Sequence, residues 1–202
     1  MNQIIETIKT RRSVRAYQVK PIPKEVIEEI IDAGRFAPSA FNWQPWRFVI
    51  VTNKNLISRI SKKIRKKLKR LSIFFPLGKL FIKELRTKRA IDFIDKLKHT
   101  DEDIIYYNAP LLILVFADKK NRFTTIDCSL AAQNMMLAAQ SLGIGSCYIG
   151  FSKLIENDRK IFSELKIPKN LRLICSLIFG YPQEEIKTIP NRNRNNIINW
   201  VE

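Results

Sequence analysis

Histidine and cysteine are scarce in this chain, with one His and three Cys in 202 residues. The lone His99 cannot supply a His-rich metal site, and Cys128, Cys147 and Cys175 stand far apart with no C-x-x-C pair. Zinc and iron–sulfur sites need thiolates or imidazoles at short, regular spacing, so no metal is expected. An odd number of cysteines without a disulfide framework fits a reducing compartment. No apolar run approaches the roughly 20 residues needed to span a bilayer. The opening Met1–Lys9 lacks the basic segment followed by an apolar stretch that marks a signal peptide. A cytoplasmic location is therefore expected. Acidic residues are in deficit too: 19 Asp and Glu face 36 Lys and Arg, for a net charge of +17. That balance predicts attraction to anions, from nucleotides to anionic membrane or nucleic acid, and is silent about fold.

What the chain does contain is ordinary for a globular protein: 46% hydrophobic, 10% aromatic and 27% charged residues. Disorder is not expected from such a composition. The length can bury one substantial core, and without repeats or low-complexity linkers residues 1–202 read as one domain.

Apolar periodicity predicts a short helix over 3–10, with Ile4, Ile5 and Ile8 on one face, and an amphipathic helix from Lys24 to Phe36. Residues 46–51 read as a strand after a Pro38–Pro45 loop. Residues 54–98 form a basic helical region interrupted near Pro76 and Gly78. Leu111–Phe116 is a continuous apolar run, expected to be a strand buried on both faces. The strongest helix signal covers 125–142 and stops at Gly143. Gly145–Phe151 reads as a glycine-punctuated turn or short strand, 153–165 as a helix and Leu171–Phe179 as a strand. Strands separated by helices point to an α/β or α+β sheet.

Four segments gather groups suited to a flat, anionic ligand. Arg11-Arg12-Ser13-Val14-Arg15 puts three guanidiniums and a hydroxyl within five residues, able to grip a phosphate bidentately; the alternative is a solvated basic turn. Pro38-Ser39-Ala40-Phe41-Asn42-Trp43-Gln44-Pro45-Trp46 is a proline-fixed loop. Its Asn42 and Gln44 carry both donors and acceptors, as reading a heterocycle edge requires; the alternative is a rigid loop that only packs. The glycines of Gly145–Phe151 allow close backbone approach, or merely a tight turn. Pro190-Asn191-Arg192-Asn193-Arg194 places two arginines on one side of an extended stretch, or is a frayed basic tail.

Taken in order, these segments resemble the FMN-dependent nitroreductase family across nearly the whole chain. Asn108-Ala109-Pro110, Asp127 to Gly145 and Gly180-Tyr181-Pro182 add weaker support. The resemblance implies an α+β fold: an α/β/α sandwich around a mixed, mainly antiparallel sheet, in a domain-swapped homodimer with an FMN at each subunit boundary. By analogy, Arg11, Arg12, Ser13 and Arg15 contact the phosphate, ribityl chain and pyrimidine end of FMN. Arg192 and Arg194 complete the phosphate clamp. Pro38, Ser39, Ala40, Asn42 and Gln44 come from the second subunit, and backbone groups of Tyr148, Ile149 and Gly150 lie beside the ring. The implied activity is ping-pong transfer of reducing equivalents from NADH or NADPH to a small electron-poor acceptor such as a nitroaromatic or quinone. The flavin carries the chemistry, so no acid–base dyad is expected.

The segment 59–98 is where family members vary, and it is expected to act as a lid or substrate channel. Here Ile57, Ile60, Ile64, Leu68 and Leu71 fall at helical spacing beneath a dense cationic face. A solvated face on a lid helix is one reading; weak contact with anionic membrane through 59–75 and recognition of an acidic or polyanionic partner are the others. Nucleic acid is not expected, because no helix-turn-helix, RNP-like or zinc-finger pattern accompanies the charge. Two alternatives to the oxidoreductase remain: a membrane- or polyanion-binding protein with a vestigial flavin site, and a related flavin reductase or dehalogenase on the same fold. Cys147 lies inside the glycine segment and is read as a packed residue rather than a redox group.

Overall fold

In the computed structural model, residues 2–76, 78, 82–184, 191–193 and 196–201 are described. Four strands build the centre: β1 (Arg47–Val51), β2 (Leu111–Asp118), β3 (Gly145–Tyr148) and β4 (Leu171–Gly180). Their order across the sheet is β1-β2-β4-β3 and every neighbouring pair is antiparallel. Among the described residues the parallel component is a single bridge, Ser13 to Ser146, at the β3 edge. The sheet is thus mixed and mainly antiparallel, as the resemblance implied.

β2 is buried along almost its whole length because both faces are covered. Leu111, Ile113, Val115 and Ala117 join one core, and Leu112, Leu114 and Phe116 join the other. The two-residue alternation of a strand produces that division. Over the first face lie α2 (Lys24–Arg35) and α5 (Thr124–Ser141), with Ile27, Ile30 and Ile31 of α2 against Ala131, Ala132 and Met135 of α5. Each such isoleucine contributes about 2 kcal/mol by leaving water. Over the second face lie α3 (Lys54–Leu71), α4 (Lys88–His99) and α6 (Arg159–Glu164), through Ile57, Ile60, Ile64, Leu97 and Ile161. This is the α/β/α sandwich.

Caps set where the helices begin. Asn2, Asn53, Thr87 and Asp158 each accept a backbone N–H from the first turn of α1 (Gln3–Thr10), α3, α4 and α6 respectively. The helix expected over 153–165 is instead a 3-10 segment, Gly150–Ile155, followed by α6. Asp158 divides them, because its side chain caps α6 while its N–H bonds Ile155 O at 2.9 Å. Among its described residues the basic stretch 54–98 contains helices α3 and α4, with short 3-10 turns at Ser72–Phe74 and Lys83–Arg86 between them.

Candidate functional site

Arg11 is the C-cap of α1, and its N–H closes the helix on Thr7 O at 3.0 Å. The chain then runs beside β3: Val14 N donates to Ser146 O at 3.0 Å, and Ser13 bridges Ser146. Gly145 makes this approach feasible, since a Cβ there would lie 2.6 Å from Val14 Cγ2. The Tyr17 hydroxyl anchors the far end by donating to Val14 O at 2.6 Å. The arginine segment is therefore an added edge on the sheet, beside the glycine segment that the sequence reading had kept separate from it.

The cations of this edge are crowded. Burial depresses the Arg11 pKa, and the neighbouring Arg12 and Arg192 guanidiniums depress it further. Arg12 is held in place by donating Nη1 to Lys9 O at 2.7 Å and to Arg11 O at 2.6 Å. The Arg192 charge, from the far end of the chain, is near enough to add to this shift. Arg194 and Pro190 lie outside the described residues. Arg15 points elsewhere, hydrogen-bonding the Tyr107 side chain and lying near Cys147. Burial pushes the Cys147 thiol up, partly offset by Arg15 and by a hydrogen bond with Ser13. Cys147 is accordingly a neutral, packed thiol.

Tyr148, Ile149 and Gly150 leave the end of β3 and open the 3-10 turn. The N–H of Gly150 sits at the amino end of that turn, where no carbonyl of the turn can take it. The position a Gly150 Cβ would occupy meets no atom within 4 Å, so open space faces this backbone. Behind it runs a buried hydroxyl chain. Tyr106 Oη meets Ser152 Oγ at 2.8 Å, Ser152 Oγ meets Ser176 Oγ at 2.6 Å, and Ser176 Oγ donates to Ile149 O at 2.8 Å. Ile149 N in turn donates to Ser176 O at 2.9 Å. A satisfied buried network of this kind holds backbone rigidly. Sequence reasoning missed Tyr106, Ser152 and Ser176, because isolated hydroxyls in apolar runs carry no spacing signal. It also missed Tyr107, which with Asn108 is held at positive φ of 54° and 52°. The Asp103 carboxylate stabilises that turn by accepting from Ile105, Tyr106 and Asn108 N–H groups at 3.0–3.2 Å.

The loop Pro38–Gln44 belongs to another part of the chain. Phe41, Asn42 and Gln44 all adopt positive φ, from 47° to 55°. Such strain persists only where surroundings enforce it. Gln44 N donates to Ser39 Oγ at 3.0 Å, Gln44 Nε2 donates to Asn42 Oδ1 at 3.0 Å, and Ala40 N donates to the buried Asp127 Oδ1 at 3.3 Å. Phe41 stacks near Trp43, and Trp43 near Phe123. The loop is tied to the start of α5, whereas Arg11–Arg15 is tied to β3. Trp46, by contrast, is buried and only packs. Phe93 of α4 stacks on Phe151 with centroids 4.9 Å apart, which brings the variable region against the Tyr148–Gly150 turn.

A groove of about 570 Å³ lies between α3 and residues 101–108; it takes in Asp103 and Asn108 but no residue of the arginine segment, the Tyr148–Gly150 turn or the Pro38–Gln44 loop. In the arginine segment Arg11, Arg12 and Ser13 are partly buried and Arg15 is exposed. Among the described residues no group of His, Cys, Asp and Glu could hold a metal.

Comparison with known proteins places this geometry. A protein of Methanothermobacter thermautotrophicus, provisionally named NADH dehydrogenase/NAD(P)H nitroreductase, is 32% identical over 188 residues, 90% of this chain and 78% of its own. An iodotyrosine deiodinase of Thermotoga neapolitana is 28% identical over 198 residues, 98% of this chain and 97% of its own. The solved nitroreductase of Bacteroides fragilis, which has bound FMN, superposes with a TM-score of 0.78 at 30% identity over 100% of both chains. Residues 8–181 match the sequence profile of the nitroreductase family, and with the sandwich and the arginine edge in hand the chain belongs to that family.

Proposed function

We propose that the protein is an FMN-dependent oxidoreductase that passes reducing equivalents from NADH or NADPH to a small electron-poor acceptor such as a nitroaromatic or quinone. One observation carries the reading: the Arg11–Arg15 segment lies on a sheet edge opened by Gly145, with the Arg12 and Arg192 charges both felt at Arg11. Like charges repel unless an anion lies between them, and a flavin phosphate supplies close to two negative charges. Arg11, Arg12 and Arg192 would hold that phosphate, with Arg194 as a further candidate. Ser13 and Arg15 would face the ribityl chain and pyrimidine end. When bound, FMN supplies the two-electron redox chemistry. The chain's own part is electrostatic and steric. A cation from Arg15 favours negative charge at the pyrimidine end. The Gly150 N–H offers a donor to a ring nitrogen, and the Tyr106–Ser152–Ser176 chain keeps that donor in place.

The loop Pro38, Ser39, Ala40, Asn42 and Gln44 would serve the flavin of a second copy, giving a homodimer. Support comes from apolar side chains that a single chain leaves in water. Ile4, Ile5 and Ile8 of α1 are exposed beside a groove shared with Leu137 and Ala138 of α5. Ile198, Trp200 and Val201 of the tail are exposed as well. An intimate dimer buries such surface. The variable region 59–98, through Phe93 on Phe151, would wall the acceptor's place as lid or channel, and residues 1–202 would act as one domain. No helix among the described residues is long and apolar enough to cross a membrane, and a cytoplasmic location is part of the proposal.

The test is a visible spectrum of the purified protein, then anaerobic titration with each nicotinamide. Oxidised-flavin bands bleached by NADH or NADPH are expected. Colourless protein that takes up no added FMN would sink the reading. The likeness to the Thermotoga neapolitana deiodinase favours one second reading, reductive dehalogenation of an aromatic. Faster turnover of 3-iodotyrosine than of a nitroaromatic by the reduced protein would select it.

A further inference from the structure

Residues 59–98 carry fifteen Lys and Arg against three Asp and Glu, so +12 of the chain's +17 lies in this one stretch. The apolar face of α3 is spent on the core, through Ile57, Ile60 and Ile64. Several of its cations are also engaged: Arg59 pairs with Glu164, and Lys63 and Lys67 both reach Asp158. Arg65 reaches Asp101 at 3.6 Å. Lys62, Lys66 and Arg70 fall on the opposite, exposed face and have no ion-pair partner among the described residues. This face runs into an apolar tip. Leu71, Ile73 and Phe74 are 53%, 74% and 67% exposed. Lys69 Nζ donates to Lys98 O at 3.3 Å, so the C-terminal ends of α3 and α4 meet there. Between them lies a groove of about 330 Å³, walled by Lys69 and Lys98 and floored by Ile73, Phe75 and Pro76.

We propose that this tip is a docking surface for an anionic lipid bilayer, with Lys62, Lys66, Lys69, Arg70 and Lys98 at the headgroups and Ile73 and Phe74 in the acyl boundary. Unpaired cations beside exposed aliphatic and aromatic side chains match the two layers of a membrane interface. A nucleic-acid duplex would meet the cations but offers nothing to Ile73 and Phe74. A second copy is disfavoured at this face, because two surfaces of the same strong positive charge repel. The inference stands apart from the flavin reading, since none of these residues belongs to the arginine edge.

The experiment is sedimentation of the purified full chain with phosphatidylcholine vesicles, with and without about one third phosphatidylglycerol. Binding to the anionic vesicles alone, weakening steeply with salt, is expected. Replacing Lys62, Lys66 and Arg70 together by Gln should lower partitioning about a hundredfold, from roughly fivefold per cation. The I73S/F74S pair should lower it about tenfold or more while keeping the salt slope. Both variants should retain the parent protein's far-UV circular dichroism and melting, which report that they fold. Absence of vesicle binding, or binding unchanged in I73S/F74S, overturns the proposal. So does I73S/F74S shifting the protein's own assembly state in ultracentrifugation, which would make the tip a contact between copies.

Discussion

Arg11 shows how one side chain can report a ligand. A half-buried guanidinium that feels two further arginines, Arg12 and Arg192, is unfavourable in isolation. An anion converts that cost into binding. Arg11→Ala is therefore expected to weaken FMN binding about ten- to a hundredfold, from the loss of one charge-assisted contact worth about 1.5–3 kcal/mol. Riboflavin, which lacks the phosphate, should be far less affected; flavin-fluorescence titrations with both ligands make the comparison, and equal losses would move Arg11 off the phosphate. The cysteines behave in the opposite sense. Burial pushes Cys128 and Cys175 up to about 12, each raised further by a neighbouring acidic or thiol group. Their protons are held more tightly folded than unfolded. Stability from them is full below about pH 8.5, the unfolded value, and is lost as pH rises toward 12. Thermal melts should fall between pH 8 and 10 by up to about 1.4 kcal/mol per thiol and pH unit. The fall should be shallower in Cys128→Ala, and an unchanged slope there would refute the assignment. The four segments of arginines, loop and glycines stand out in the sequence because their residue types suit one chemistry. Tyr107 and the hydroxyl chain behind Ile149 do not, since a Tyr or Ser acquires a role only from what the fold sets beside it.

At the scale of elements, the register of the arginine segment against β3 decides the site. Val14 and Gly145 are in contact so close that a methyl group cannot enter without displacing the segment. Gly145→Ala is expected to cost about 1–3 kcal/mol by overpacking and to lower FMN affinity by pushing Arg11–Arg15 off the sheet edge. A protein that melts slightly lower yet binds FMN as before would show that the segment tolerates the shift. Strand and helix identities were legible over β2, β4 and α5, where uninterrupted apolar runs or long periodicity leave one choice. The helix expected over 153–165 divided instead, because the Asp158 cap competes locally for backbone N–H groups. The amphipathic pattern of α3 was also legible, but not that its apolar side would be consumed by the core and leave a separate tip exposed.

For the molecule as a whole, the arginine edge and the distant loop Pro38–Gln44 make most sense in two copies. The exposed tail is the expected link. The I198S/W200S pair should shift the protein from dimer toward monomer in ultracentrifugation and empty its flavin site together, with little change in the melting of either sandwich. Monomer that keeps full flavin occupancy would show that one chain holds the cofactor unaided. The charge of +17 acts at this scale too. It is unevenly placed, so salt should weaken vesicle docking far more than it weakens flavin binding at the partly buried arginine edge.

The sequence by itself determined the covered sheet, the helices over it, the absence of metal-ligand spacing and the set of residue types able to hold a phosphorylated flavin. Each follows from local periodicity or from the chemistry of a short segment. The tertiary structure alone decided which of those segments meet. Arg11–Arg15 lies on β3 and the loop at Asn42 lies on α5, because pairing across a sheet edge and burial against a helix act between residues far apart in the chain. No spacing along the sequence encodes such meetings; only the way the two cores close on the sheet does.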